Sequence, residues 1–319
     1  MLRETDAAYV AHLRVRLQPN VTLTVGDEWP DPADFEILVA GRPDREQIEA
    51  SPDLRALVIP FAGLPQQTRE LMLDFPHITV HNLHHNAVSA AEMAVTLMLA
   101  ASKLILPHDR ALRGHDWRPR YRPTPAFILE EKTALILGYG AVGRRVADAC
   151  RGLGMRVIAT RRTPSEQPAQ GVYDSEALPG LLPQADVLVI ALPLTDETRG
   201  LIGDEELALL PRRSVLINVG RGPVVHEESL YRAVRDGTLY AAGLDVWYNY
   251  PRDEASRSST PPSAYPFHEL DNVVMSPHRG GAAGSETIER RRMDHLARLL
   301  NAAARGDNIP HQVNVEAGY

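Results

Sequence analysis

The chain has 319 residues, too many for one ordinary hydrophobic core and enough for two domains. Its 44% apolar and 24% charged residues are globular in proportion, and a net charge of −7 without a long basic block argues against nucleic acid or an anionic membrane as partner. The single Cys150 excludes an internal disulfide and a cysteine zinc site, and no apolar run reaches the roughly 18 residues of a membrane span.

The opening MLRETDAAYV lacks the basic-then-apolar order of a secretion signal, so a cytoplasmic protein is expected. Residues 35–40 (FEILVA) and 55–60 (RALVIP) are short apolar runs around a helical stretch, a βαβ pattern. The segment HNLHH (His81, His84, His85) reads as a loop before a helix. It has no carboxylate nearer than Glu92, and no metal site is expected there. Residues 87–106 form a long Ala-rich helix. Ser89, Glu92, Thr96, Ser102 and Lys103 interrupt it, which fits a buried helix between domains rather than a membrane segment. The Pro- and Arg-rich stretch 114–125 reads as a crossing linker.

Strands and helices then alternate. Apolar runs occur at 133–138, 155–160, 186–192, 214–219, 239–244 and 272–276, with helical patterns between most of them. That alternation predicts a parallel, doubly wound α/β sheet of Rossmann type. Residues 252–266 are polar and Pro-rich, hence a loop. A last helix, about 284–305, is expected to return to the first domain.

Residues 138–143, GYGAVG, match G-x-G-x-x-G between the strand TALIL and the helix RRVADACRGLG. Gly138 permits the tight turn, Gly140 lets backbone approach a pyrophosphate, and Gly143 lets helix pack on strand. The helix N terminus then offers N–H groups and the positive end of its dipole to the phosphates. The next strand ends VIATRRTP. Arg161, followed by Arg162 and Thr163, stands where an NAD site carries an acid for the ribose 2′-hydroxyl. Arginines there pair with a 2′-phosphate, so NADP(H) is expected in preference to NAD(H).

Three further strand-end loops carry reactive residues: INVGRGPVV with Arg221, GLDVWYNYP with Asp245, and VVMSPHRGG with His278. Ligands of open α/β sheets bind at such ends. An arginine grips a carboxylate with a two-pronged fork, and a histidine exchanges a proton near neutrality. Together with a nicotinamide these are the needs of hydride transfer to a 2-keto acid.

The ordered motifs GYGAVG, LPLTDETRGLIG, NVGRGPVV, AGLDV and SPHRGG resemble those of the D-isomer-specific 2-hydroxyacid dehydrogenase family. The likeness covers most of the chain and is weaker in HNAVSAAEMAVTLML. It implies a dinucleotide-binding domain over 107–281 and a smaller, flavodoxin-like substrate domain split between 1–106 and 282–319. An inter-domain cleft and a homodimer are implied too. By the same resemblance Arg221 binds the substrate carboxylate, His278 is the acid/base, and Asp245 holds the nicotinamide amide. Tyr139, Ala141, Val142, Leu192, Pro193, Val219, Gly220 and Gly281 line the cofactor, and Ala62, Gly63 and Asn86 face the substrate.

Two departures stand out. The family's glutamate, five residues after the aspartate, pairs with the catalytic histidine and raises its pKa. Here Tyr250 occupies that position, on the substrate side, with Trp247 and Tyr248 expected to wall the cleft. Asp253 or Glu254 reaching back, or the Tyr250 hydroxyl itself, are the stand-ins the sequence offers. Second, AGLPQQT replaces the family's usual substrate-loop segment. A reductase of small 2-keto acids is the leading expectation. A formate-type dehydrogenase needs no base and resembles this chain in DVWY, and a non-catalytic NAD(P)-sensing protein is the other alternative.

Overall fold

The computed structural model describes residues 7–26, 30–123, 126–162 and 170–319. They group into two compact units, Met1–Asn86 with Ala282–Tyr319, and Ala87–Gly281.

The first unit begins with helix α1 (Ala7–Arg14). A parallel three-stranded sheet follows, in the order β1 (Ile37–Val39), β2 (Ala56–Ile59), β3 (Thr79–Asn82), with helices α2 (Arg45–Glu49) and α3 (Gln66–Met72) in the connections. A capping box starts α2: Asp44 accepts from the Gln47 N–H, and the Gln47 side chain accepts from the Asp44 N–H. One cluster gathers Ile48, Leu57, Ile59, Met72 and Val80, another Leu13, Val58, Leu296 and Leu300, so β2 contributes to both. β3 includes His81 and Asn82, so the start of HNLHH is strand rather than the loop expected from sequence. Its residues, TVHN, lack an apolar run, and pairing with β2 at Ile59↔Asn82 makes the strand.

The second unit holds α4 (Ala87–Ser102), α5 (Ile105–Arg113), β4 (Thr133–Leu137), α6 (Ala141–Gly152), β5 (Arg156–Arg161), β6 (Val172–Asp174), α7 (Leu178–Leu181), β7 (Val187–Ile190), α8 (Asp204–Leu209), β8 (Ser214–Asn218), α9 (Glu227–Arg235), β9 (Leu239–Leu244) and β10 (Val273–Met275). The last helix, α10 (Glu286–Ala304), belongs to the first unit. Seven parallel strands run in the order β10-β9-β8-β7-β4-β5-β6. The winding reverses between β4 and β7, the switch point at which such sheets take ligands beyond their C-terminal ends. Short β6 was not anticipated, and a 3-10 turn (Arg118–Tyr121) sits within the expected linker.

Residues 87–106, expected with the first domain, group with this unit. The reason is packing. A Cβ added at Gly243 would lie 2.8 Å from Leu97 Cβ and 2.9 Å from Ile217 Cδ1, so glycine in β9 lets α4 lie close on the sheet. Ala91, Ala94, Leu97 and Met98 of α4 are buried in the cluster that holds Ile136, Val189 and Ile217. Among the described residues no single helix is long and apolar enough to cross a membrane. The helices α4 and α5 pass only as a pair, bent by 68°.

Candidate active site

The glycine loop lies between β4 and α6. Gly138 has φ +95°, and a Cβ there would lie 2.9 Å from the Ala191 carbonyl oxygen. A Cβ on Gly143 would lie 2.0 Å from the Gly138 carbonyl oxygen, so α6 meets its own strand too closely for any side chain. At Gly140 an added Cβ meets nothing, leaving open space over the loop. No side chain caps the N terminus of α6. The N–H groups of Ala141, Val142 and Gly143 therefore lack intrahelical partners and face that opening. A dinucleotide pyrophosphate fits these donors and this space.

Tyr139 is held to β5 by its N–H, which donates to Thr160 O at 3.0 Å. Leu192 and Pro193 follow β7, and Val219 and Gly220 follow β8. A Cβ on Gly220 would lie 2.5 Å from the Leu192 carbonyl oxygen, so these two loops are in backbone contact. At the end of β5, Arg161 is exposed and no side-chain partner is found for it among the described residues. Arg162 faces Glu197 at 3.8 Å. Thr163 lies outside the described residues.

Arg221 lies on a loop pinned by Asn218, a residue to which the motifs alone assign no role. The buried Asn218 accepts from the Gly220 N–H at 3.1 Å and donates to the Arg221 carbonyl at 3.0 Å. An asparagine ending a strand before VGRG is the signal that could have found it, since its side chain readily bonds backbone two or three residues on. The Arg221 guanidinium donates to the Gly220 carbonyl at 2.7 Å. Among the described residues no carboxylate pairs with it. Burial pulls its pKa below the ordinary guanidinium value. An enclosed cation without a counter-charge is costly unless a ligand supplies the anion.

Asp245, only 2% exposed, ends β9 and fastens the loop that carries His278. Its Oδ1 accepts from the Ser276 hydroxyl and, at 2.8 Å, from the Arg279 N–H, and its Oδ2 accepts from the Gly280 N–H at 2.8 Å. A Cβ at Gly280 would lie 2.5 Å from Oδ2, so only glycine permits this approach. The nicotinamide-facing role expected for Asp245 would have to share a carboxylate already bound to three donors.

His278 sits in the left-handed region with φ +56°. Its Nδ1 is 3.0 Å from the Tyr250 hydroxyl, which also accepts from the Trp247 N–H at 3.1 Å. Surrounding protein, then the charge of Arg221, push the imidazole pKa below its ordinary value, and Asp245 pulls it partly back. Asp253 instead accepts from the Ser256 N–H, and Glu254 pairs with Arg257 at 3.0 Å. Neither reaches the imidazole. Trp247 does not wall an opening: it is 4% exposed, donates from Nε1 to Ser276 O at 2.8 Å and packs edge-on to Phe267. Tyr248 donates to Val225 O at 3.0 Å. Gly281, expected at the cofactor, ends this unit just beyond Gly280.

In the first unit, Ala62 O accepts from the Asn82 amide at 2.7 Å, which orders the turn bearing Ala62 and Gly63. Asn86 is half-buried at the unit's boundary. His81 is buried, bonded by Nδ1 to Pro310 O and by Nε2 to Thr79. His295 and His311 meet at 3.0 Å, with His84 edge-on to His311. Among the described residues no group of histidine, cysteine or carboxylate side chains is arranged to hold a metal ion.

Residues 95–280 match the family model described as D-isomer specific 2-hydroxyacid dehydrogenase, NAD binding domain. The chain is similar to a glyoxylate reductase of Aeropyrum pernix, 36% identical over 236 residues that cover 72% of this chain and 67% of that one. Among solved structures, it is similar to a D-isomer specific 2-hydroxyacid dehydrogenase from Xanthobacter autotrophicus Py2 in complex with NADPH and MES. The identity is 27% and the TM-score 0.75, over 98% of this chain and 95% of that one. It is also similar to a provisionally assigned formate dehydrogenase from Pyrobaculum aerophilum, 27% identical with a TM-score of 0.79, over 100% and 98% of the two chains.

Proposed function

Because the chain belongs to the D-isomer specific 2-hydroxyacid dehydrogenase family, we propose that it reduces a small 2-keto acid with NADPH. Glyoxylate, the substrate in the name of the Aeropyrum relative, is the first candidate. The observation that carries this reading is Arg221: an enclosed guanidinium with no carboxylate partner among the described residues, beside a histidine whose proton affinity its charge lowers.

In this reading Arg221 grips the substrate carboxylate and, with a second N–H, polarises the keto oxygen. Protonated His278 gives its Nε2 proton to that oxygen as charge builds there. The nicotinamide, when bound, supplies the hydride that reduces the keto carbon. Asn218 and Asp245 act behind these groups, each holding one loop in place. The first-turn N–H groups of α6 take the pyrophosphate. Arg161, with Arg162, takes a 2′-phosphate, and the NADPH bound by the Xanthobacter relative supports that preference. A substrate-facing role for Asn86, Ala62 and Gly63 belongs to the same proposal.

The protein is proposed to be cytoplasmic and to form a homodimer. No residue of α5 is buried, and Ile105, Leu106, Leu112, Trp117 and Tyr121 are exposed on α5 and the segment after it. An apolar patch of this kind marks an interface.

The test follows NADPH oxidation with a panel of 2-keto acids. Glyoxylate or a close homologue should turn over, and Arg221→Gln should lower kcat/KM by roughly 10²–10³-fold. No turnover with any keto acid, beside tight NADPH binding, overturns the reading. A second reading, formate oxidation, is favoured by the neutral Tyr250 hydroxyl that stands at His278 Nδ1 in place of a carboxylate and by the likeness to the Pyrobaculum protein. Hydride loss from formate needs no base, so formate-dependent NADP+ reduction separates the two.

A further inference from the structure

We propose that Tyr250 is the positioning residue behind His278: its hydroxyl holds the neutral imidazole as the Nε2–H tautomer without a counter-charge, so keto-acid reduction is confined to the acid side of neutrality. This deepens the reductase reading and rests on it.

The Tyr250 hydroxyl has one proton and two acceptor positions. The Trp247 N–H can only donate, so it takes an acceptor position, at 3.1 Å. The hydroxyl proton is thereby free for the atom 3.0 Å away, His278 Nδ1. A neutral imidazole accepting at Nδ1 carries its proton on Nε2. When the imidazole is protonated, Nδ1–H donates to the second acceptor position of the same oxygen. Tyrosine therefore serves both charge states, yet brings no negative charge to favour the cation.

Among the described residues, two charges bear on the imidazole. Arg221, from the loop after β8, disfavours the cation. Asp245, from the end of β9, favours it, but spends its oxygens on Ser276, Arg279 and Gly280. Asp253 and Glu254, the acids that follow Tyr250 in the chain, are tied to Ser256 and Arg257. Among the described residues, position 250 is thus the one that decides whether a counter-charge stands at Nδ1. A carboxylate within hydrogen-bond reach of a histidine typically moves its titration upward by about one to three pH units.

The experiment measures the His278 ring nitrogens by NMR in full-length protein, assigned by comparison with His278→Gln, together with the pH profile of NADPH-dependent glyoxylate reduction. Wild type should show an Nε2–H tautomer and a titration midpoint below about 6.5. Its kcat/KM should fall about tenfold per pH unit above that midpoint. Tyr250→Phe should give mixed tautomers. Tyr250→Glu should raise the midpoint and, at pH 8, raise kcat/KM about tenfold for each pH unit gained. An Nδ1–H tautomer in wild type, an unaltered tautomer ratio in Tyr250→Phe, or an unmoved midpoint in Tyr250→Glu overturns the proposal. Failure of the reductase reading looks different: no keto-acid turnover at any pH, while the ring nitrogens still report on Tyr250.

Discussion

Replacing Asp245 by asparagine keeps the side chain's shape and removes its charge, so it isolates what the carboxylate does. In the wild type three donors from residues 276–280 converge on two buried oxygens. Hydrogen bonds to a charged acceptor contribute about 1.5–3 kcal/mol each, against about 1 for neutral pairs. Asparagine keeps one oxygen, best aimed at Ser276 and Arg279, and turns its NH2 toward the Gly280 N–H. Two bonds weaken and a third becomes two donors facing each other, which alone costs about 1–3 kcal/mol. Relief from burying a charge offsets part of this. The net loss is about 2–4 kcal/mol, or roughly 5–15 °C in Tm for a unit of this size. The assay is thermal and urea unfolding of cofactor-free Asp245→Asn beside the wild type. A role confined to the nicotinamide amide would leave cofactor-free unfolding untouched and weaken only NADPH binding. A cofactor-free loss under about 0.5 kcal/mol would refute the view that Asp245 fastens the His278 loop.

Replacing Arg161 and Arg162 together by alanine should weaken NADPH binding by roughly 10²-fold and leave NADH within a few fold, measured by fluorescence titration; equal losses would refute the 2′-phosphate assignment. The first unit should lose stability in acid. Burial, more than neighbouring Arg292, lowers His85 to about 4, and burial, more than neighbouring His311, lowers His295 to about 4, from an unfolded value of 6.5. The unfolded chain therefore binds more protons between those limits, and stability falls as pH drops from about 6.5 to about 4. With allowance for solvent screening the two histidines account for about 3 kcal/mol, and His295→Gln should flatten the dependence seen in urea titrations. Replacing Leu112 and Trp117 by serine should halve the mass seen by sedimentation, whereas a wild type already monomeric at micromolar concentration would rule out the α5 patch as a dimer face.

The βαβ alternation, the glycine loop and the three strand-end loops were legible because each rests on local chemistry: apolar runs of strand length, glycines at close approaches, a polar residue ending a strand. Strands β3 and β6 escaped because three- or four-residue strands without an apolar run exist only through their neighbours. Helix α4 was recognised, but not its allegiance, which the packing of Leu97 over Gly243 decides. Trp247 looked like a wall by its aromatic company and proved to be core, since its indole finds both an acceptor in Ser276 and the edge of Phe267.

What the sequence determined by itself was the family, the nucleotide loop and the vacancy where a glutamate is usual, all carried by residues close together in the chain. Only the tertiary structure decided what stands in that vacancy. Tyr250 and His278 are separated by 28 positions and brought to 3.0 Å by the pairing of β9 with β10. Which of three nearby candidates reaches the imidazole depends on how the loop after β9 turns. That turn is set by backbone bonds from Tyr248 and Asn249 to the Pro262 carbonyl, a contact between residues more than a dozen positions apart that no local pattern announces.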